Sequence, residues 1–306
     1  MAAIATAKPL PMTTPNPLPG WADTLEPLLP GVLGVATRRR FASAWAWDAG
    51  FAITVASAVE GRAPLQLVGA DGQPVPAEVV GVDEATDLAL LRADGLPPPP
   101  ATLADERPRL GAALAVLGRL PSGDAHASFG HVGLVGPRWR TWKGGPVEHR
   151  VRLDGGLFAG LPGGPVVDAA GRVIGIASAA LSRHHGTLLP AVTVARVAAA
   201  LRDGGRVPRA HLGVALQSAA VRLNGGTRTG LLVTHVADDG AAARAGVLVG
   251  DVIVEAHGRA TAAVGELRDV LDALDPGSTL PLALARGGQR VDLSAAPWPA
   301  RAGAAA

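Results

Sequence analysis

Short apolar runs broken by glycine or proline fill residues 31–192, and this pattern limits the chain to a fold of short strands. Typical runs are Phe51-Ala-Ile-Thr-Val55, Leu88-Ala-Leu-Leu91 and Ala113-Leu-Ala-Val-Leu117. Glycine (40) and proline (26) supply the breaks. Their combined share stays below the roughly 25–30% typical of disordered low-complexity chains. Because short strands with little intervening helix form antiparallel sandwiches or barrels, the sequence predicts a mainly β domain.

A helix near residue 200 separates this domain from a second one. Its apolar face is formed by Val194, Val197 and Leu201. Gly204-Gly205 ends the helix, because glycine readily adopts the left-handed conformation of a helix terminus. Strand-like runs then resume around an amphipathic helix over residues 264–274. We therefore predict a flexible N-terminal arm (1–30), a β domain (31–203), a small α+β domain (210–297) and a tail (298–306).

Composition excludes several kinds of partner and site. The net charge of +2 argues against nucleic acid. The absence of cysteine excludes disulfides, thiolate metal sites and a thiol nucleophile. Six of the eight histidines are scattered, and the adjacent His184 and His185 would point apart in an extended chain, so no metal site is predicted. No cofactor is expected.

No apolar run approaches the roughly 18 residues of a membrane span, and prolines interrupt the N-terminus where a signal peptide needs an apolar stretch. As written, the chain is expected in the cytoplasm; a misassigned start site would allow the periplasm.

The most informative motif is a glycine-rich segment at residues 151–166. It reads V-R-L-D-G-G-L-F-A-G-L-P-G-G-P-V and is followed by Gly171-Arg-Val-Ile-Gly-Ile-Ala177. It resembles the nucleophile loop of the HtrA (Deg) family of chymotrypsin-like serine proteases, where Gly-Asn-Ser-Gly-Gly-Pro precedes a Gly-x-Val-Ile-Gly-Ile strand. The resemblance implies that Pro162 stands at the position of the nucleophilic serine and that Gly160 belongs to the oxyanion loop.

Two further segments match the same family in order and register. Residues 50–61 resemble the segment that carries the catalytic histidine, and Ser57 stands at the histidine position. Residues 77–91 resemble the segment that carries the triad aspartate, and Asp87 stands at that position. The resemblance therefore implies a chymotrypsin-like double β-barrel in which one triad residue of three is retained.

The replaced positions have chemical consequences. A triad needs a hydroxyl nucleophile, an imidazole that accepts its proton and a carboxylate that orients the imidazole. Asp87 supplies only the last of these. In the family, the backbone N–H groups at positions 160 and 162 form the oxyanion hole, and proline has no N–H. A Ser57–Asp87 pair without histidine or lysine lacks a base for the hydroxyl, so we expect Ser57 to donate a hydrogen bond to Asp87.

The second domain resembles a PDZ domain of the HtrA type. The matching stretches are His211-Leu-Gly-Val214, Gly230-Leu-Leu-Val233, residues 240–254 and Gly258. A PDZ domain adds an extended peptide as a strand and receives its terminal carboxylate on backbone N–H groups. The resemblance implies that these N–H groups follow Gly230 and belong to Leu231, Leu232 and Val233. It implies a side-chain pocket walled by Leu267, Val270 and Leu271. The alternative is that these apolar residues are only core.

Three functions remain open at this point. The first is a catalytically inactive HtrA-like protein, a pseudoprotease that binds peptides, protein C-termini or unfolded segments mainly through its PDZ domain. The second is an active HtrA-type serine endopeptidase with a non-standard site. The third is a structural subunit that co-assembles with an active paralogue. Because family members commonly trimerise through the N-terminal part of the protease domain, the resemblance also implies homotrimer contacts at Trp21, Leu25, Leu28 and Leu29.

Overall fold

The computed structural model describes residues 20–36, 41–59, 64–182, 184–223, 225–275 and 277–297. The chain divides between Val207 and Pro208 into two compact units. None of the helices in the described ranges is both long and apolar enough to cross a bilayer.

The first unit is built from antiparallel strands that close into two barrels. The strands of the first barrel are β1 (Val32–Ala36), β2 (Phe41–Asp48), β3 (Phe51–Thr54), β4 (Leu65–Val68), β5 (Pro74–Asp83) and β6 (Leu88–Arg92). The other strands of this unit are β7 (Ala113–Arg119), β8 (Ala125–Gly136), β9 (Trp139–Arg140), β10 (Pro146–Val147), β11 (Arg150–Asp154), β12 (Pro165–Asp168), β13 (Val173–Ser178) and β14 (Gly186–Pro190).

Each barrel contains six strands. Their orders are β1-β2-β3-β6-β5-β4 and β11-β14-β13-β12-β7-β8, while β9 and β10 form a separate two-stranded ribbon. Closure leaves no free sheet edge within either barrel, which suits strands as short as these. The mainly β, double-barrel fold that the sequence predicted is confirmed.

One helix packs against both barrels of this unit. The helices here are α1 (Trp21–Leu25), a 3-10 helix (Glu26–Gly31), α2 (Ala56–Val59) and α3 (Ala191–Gly204). The predicted apolar face of α3 is fully buried, in one cluster with Trp45 and Ile53 of the first barrel and Leu117 and Ile176 of the second. Gly205 ends the helix with φ +67° and donates its N–H to the carbonyl of Leu201 at 2.8 Å. This shared core fixes the two barrels side by side.

The predicted flexible arm is wrong for its described residues. Residues 20–31 form α1 and the 3-10 helix, and Leu25 and Leu28 are buried in the core of the first unit. Trp21 packs edge-on against Phe129, with ring centroids 5.5 Å apart. Burial within the chain therefore removes Leu25 and Leu28 from the contacts implied for a trimer. Residues 1–19 of the predicted arm, like the predicted tail at 298–306, lie outside the described residues.

The second unit is a small sheet with two helices. Its strands are β15 (Val214–Leu223), β16 (Gly226–Val236), β17 (Val252–Ala256), β18 (Arg259–Ala260), β19 (Leu280–Arg286) and β20 (Gln289–Ala295). Its helices are α4 (Ala241–Arg244) and α5 (Val264–Asp272). The sheet order is β15-β16-β17-β19-β20, with β18 paired to β17. In this order β15 is an edge strand, and β16 lies between two partners.

Candidate active-site cleft and peptide groove

Two of the three residues predicted to stand at triad positions lie at one cleft of the first unit. Ser57 and Pro162 line this cleft, which has a volume of about 250 Å³. Its other lining residues are apolar: Phe41, Ala42, Val55, Ala58, Ala179 and Ala180. Among these described lining residues there is one side-chain hydroxyl, and there is no imidazole, amine or carboxylate.

Asp87 lies directly behind Ser57, in the turn between β5 and β6. Its carboxylate accepts a hydrogen bond from the Ser178 hydroxyl at 2.6 Å and another from the backbone N–H of Ser57 at 3.0 Å. Burial raises the pKa of Asp87 above its ordinary value, although the hydrogen bonds from Ser178 and Ser57 and the charge of Lys143 act in the opposite direction.

The expected link between Ser57 and Asp87 is therefore present, with the backbone N–H of Ser57 as a donor. Sequence reasoning missed Ser178, which is fully buried at the end of β13. A polar residue that closes an otherwise apolar strand was the available signal, because a buried hydroxyl needs a partner.

The raised pKa of Asp87 gives a pH-dependent stability. Because the folded chain binds this proton more tightly than the unfolded chain, the free energy of unfolding falls as the pH rises through the pKa of Asp87. We expect Asp87→Asn to gain in melting temperature relative to the unmodified chain as the pH rises from the ordinary carboxyl range, about 4, through the raised pKa of Asp87. Thermal melts across this range measure the difference. The exposed Asp94→Asn serves as the control, and a difference independent of pH would contradict the expectation.

The loop that carries Gly160 and Pro162 is held to β2 by one serine. The carbonyl of Gly160 accepts a hydrogen bond from the Ser43 hydroxyl at 2.5 Å, and the carbonyl of Pro162 accepts one from the Ser43 N–H at 2.8 Å. The same hydroxyl accepts the N–H of Arg119 at 2.9 Å. Ser43 is completely buried. The loop is thus fixed against both barrels, while residue 162 has no N–H with which to stabilise an oxyanion.

The structure corrects the position of the carboxylate loop in the second unit. Gly230, Leu231, Leu232 and Val233 lie on β16, which pairs with β15 on one side and β17 on the other. The N–H of Val233 is donated to the carbonyl of Asp251 at 2.8 Å, and the side chains of Leu231 and Val233 are fully buried. The predicted role of these residues is therefore wrong, because an interior strand uses its backbone groups within the sheet.

An open groove lies instead between the edge strand β15 and α5. Its volume is about 460 Å³, and it is lined by residues 210–216 and by Val264, Leu267, Arg268 and Leu271 of α5. Of the three residues predicted to wall a peptide pocket, Leu267 and Leu271 line this groove. Val270 packs in the core of the unit and is not among the lining residues.

Two backbone N–H groups of residues that line the groove have no acceptor within the described residues. These groups belong to Leu212 and Gly213, whose carbonyls accept the N–H groups of Ala242 at 2.9 Å and Ala237 at 2.8 Å. Gly213 has φ +76°, a conformation that glycine adopts without strain. The signal in the sequence was the His211-Leu-Gly-Val214 stretch immediately before the first strand of the unit.

Comparison with protein families and curated proteins matches both units. Residues 42–176 match the model of the trypsin-like peptidase domain, and residues 210–296 match that of the PDZ domain. A "Probable periplasmic serine endoprotease DegP-like" of Halomonas elongata is 30% identical over 287 residues, covering 89% of this chain and 60% of that protein. A "Serine protease Do-like HtrA" of Lactobacillus helveticus is 29% identical over 264 residues, covering 80% of this chain and 64% of that protein. The chain thus spans less than two thirds of these relatives.

Solved structures of similar fold cover nearly the whole chain. The structure described as "HtrA-type protease AlgW with tripeptide" has a TM-score of 0.71 and 27% identity, covering 90% of this chain and 96% of that one. The serine endoprotease from Yersinia pestis has a TM-score of 0.74 and 24% identity, covering 91% and 97% of the two chains, and this likeness concerns the fold alone. The chain is therefore a homologue of the HtrA-type, DegP-like proteases, composed of a trypsin-like peptidase domain and a PDZ domain.

Proposed function

We propose that this chain is a catalytically inactive HtrA-like protein that binds peptides or unfolded protein segments, mainly in the groove of its PDZ domain. The observation that carries the proposal is that Pro162 and Ser57 occur at the positions that the motif resemblance assigns to the nucleophile and the base. Proline has neither a hydroxyl nor an N–H, and serine is no base at neutral pH.

The surroundings of Asp87 support the loss of activity. Its carboxylate receives hydrogen bonds from Ser178 and from the N–H of Ser57, and neither donor is a base that could activate a nucleophile. The Ser178 hydroxyl is buried and donated to Asp87, which leaves it unsuited to attack a substrate. A relocated nucleophile would need a base beside it, and the described residues that line the cleft provide none.

The groove between β15 and α5 supports peptide binding. As the edge strand, β15 can accept an extended peptide as a further strand of the sheet. Leu212 and Gly213 line the groove, and their N–H groups would give a terminal carboxylate charge-assisted hydrogen bonds. Leu267 and Leu271 offer an apolar wall to the last side chain. A peptide with a free, hydrophobic C-terminus fits all three features.

This function predicts that the full chain distinguishes a free C-terminus from an amidated one. We expect micromolar affinity, about −7 to −8 kcal/mol, for a peptide ending in valine or leucine as the free acid. Amidation is expected to weaken binding about 10-fold or more, because a neutral amide gains no charge-assisted hydrogen bond. Fluorescence polarisation with matched peptides measures both affinities.

Two substitutions locate the binding site. Val264→Asp places a negative charge in the groove at the first residue of α5, where an acidic side chain is compatible with the helix dipole. We expect it to reduce binding of the free acid about 10-fold. Val249→Asp, at an exposed position outside the groove, is the matched control. Equal binding of free-acid and amidated peptides would contradict the proposed carboxylate site.

The active endopeptidase is the second candidate, and the names of the curated relatives favour it. It requires a serine in this chain that reacts with a fluorophosphonate probe. A role as a subunit that assembles with an active paralogue is a further alternative, and co-purification of a catalytic homologue from the native host would favour it.

The relatives described as periplasmic lead us to propose the periplasm for this chain in place of the cytoplasm.

A further inference from the structure

Arg268 contributes the permanent positive charge of the peptide groove. Within the described part of the chain, the groove is lined by two basic side chains, His211 and Arg268, and by no acidic one. Arg268 takes part in none of the ion pairs or side-chain hydrogen bonds of the described residues. Elsewhere in the same unit, Arg286 pairs with Asp251 at 2.7 Å and Arg290 pairs with Glu255 at 3.0 Å. The guanidinium in the groove is thus available to a ligand.

Helical geometry places Arg268 on the ligand-facing side of α5. It follows Val264 by four residues and precedes Leu271 by three, and these spacings bring side chains to one face of a helix. None of the acidic residues of α5 is among the residues that line the groove. The carboxylate of Glu266 accepts the N–H groups of Ala262 at 2.7 Å and Ala263 at 3.0 Å at the start of the helix. Asp269 and Asp272 do not line the groove.

An extended peptide on β15 would bring alternate side chains toward this face. The last side chain and the one two residues before it point to the same side of a strand, about 6.6–6.8 Å apart. With the last side chain against Leu267 and Leu271, the earlier one comes within reach of Arg268. A neutral side chain there would cover the guanidinium without replacing its hydrogen bonds to water. A carboxylate would replace them with a forked, charge-assisted pair.

We propose that Arg268 makes the groove selective for peptides that carry aspartate or glutamate two residues before a free, hydrophobic C-terminal residue. This inference rests on the proposed peptide-binding function and adds the chemistry of the ligand to it. Arg268 is then the residue that determines specificity, while the N–H groups of Leu212 and Gly213 receive the terminal carboxylate.

Four peptides of otherwise identical sequence test the selectivity on the full chain. Three are free acids with glutamate, glutamine or lysine two residues before a C-terminal valine, and the fourth is the amidated glutamate peptide. We expect the glutamate peptide to bind about 10-fold more tightly than the glutamine peptide, and the lysine peptide to bind most weakly of the three acids. In Arg268→Gln the glutamate and glutamine peptides should bind within roughly twofold of each other. In Arg268→Glu the lysine peptide should become the preferred one.

The exposed Arg259→Gln variant controls for the loss of one positive charge outside the groove, and it should keep the preference for glutamate. If the unmodified chain bound the glutamate and glutamine peptides equally, and amidation still weakened binding, the proposed selectivity would be overturned. The proposed carboxylate site would stand. A preference that persists in Arg268→Gln would overturn the assignment to this residue. Failure of all free-acid peptides to bind the folded chain would contradict the peptide-binding function, and the selectivity with it.

Discussion

The purified chain is expected to leave casein and chromogenic peptides uncleaved and to remain unlabelled by a fluorophosphonate probe. The expectation follows from Pro162 and Ser57, which provide neither an activated hydroxyl nor an imidazole at the positions predicted for the nucleophile and the base. The members of a triad act as a unit worth on the order of 10⁶ in rate, so cleavage should fall to the background of the assay. Labelling of the unmodified chain at any serine, Ser57 included, would show that the proposed loss of activity is incorrect.

A double substitution tests whether reactivity with the probe can be introduced at this cleft. Ser57→His with Pro162→Ser returns an imidazole and a hydroxyl to the two sides of the cleft, and serine also supplies the missing N–H at position 162. We expect the double variant to react with the probe and each single variant to remain unlabelled, because a nucleophile without its base gains little. Labelling of Pro162→Ser alone, to the same extent as the double variant, would contradict this dependence on a base.

The second large effect concerns the stability of the loop that follows Pro162. Gly163 has φ +88°, and a Cβ atom added to it would lie 2.0 Å from the backbone carbonyl oxygen of Ser43. A left-handed alanine costs about 1–2 kcal/mol, and overpacking against rigid backbone adds about 1–3 kcal/mol. We therefore expect Gly163→Ala to lower the free energy of unfolding by about 2–5 kcal/mol, as measured by urea denaturation.

The control for Gly163 is Gly95, which has a similar conformation in open space. Its φ is +74°, and an added Cβ would meet no atom within 4 Å. Gly95→Ala should thus lower the free energy of unfolding only by the cost of the left-handed backbone conformation, about 1–2 kcal/mol. Similar losses in both variants would mean that the contact with Ser43 does not constrain the loop.

The fold was largely predictable because its signals are local. Glycine and proline mark the ends of the strands of both barrels, and three apolar residues at helical spacing identify α3. The order of strands in the second unit is not a local property. Two short apolar stretches that contain a glycine look alike in the sequence: Leu212–Val214, which leads into β15, and Gly230–Val233, which lies on β16. Only the order of strands in the sheet shows that β15 is an edge strand and β16 an interior one. The carboxylate loop was therefore predicted one strand too far along the chain.

The candidate cleft was predictable only in part, for a related reason. The positions of Ser57, Asp87 and Pro162 followed from the order of three motifs. Ser178 lies 91 residues from Asp87 in sequence, and Ser43 lies 117 residues from Gly160, so no spacing rule connects them. The N-terminal helices were missed because their apolar side chains occupy too few turns to give a periodic signal.

Because the Pro162 loop is attached to Ser43, the shape of the cleft and the reactivity of its side chains depend on different residues. Ser43 holds two backbone carbonyls of the loop, so the side chain of residue 162 has no part in the bonds that position the loop. Natural variation at residue 162 can then alter reactivity at little cost to folding. A cleft whose shape does not depend on the side chain of residue 162 should therefore stay intact in Pro162→Ser, whatever reactivity the new hydroxyl brings.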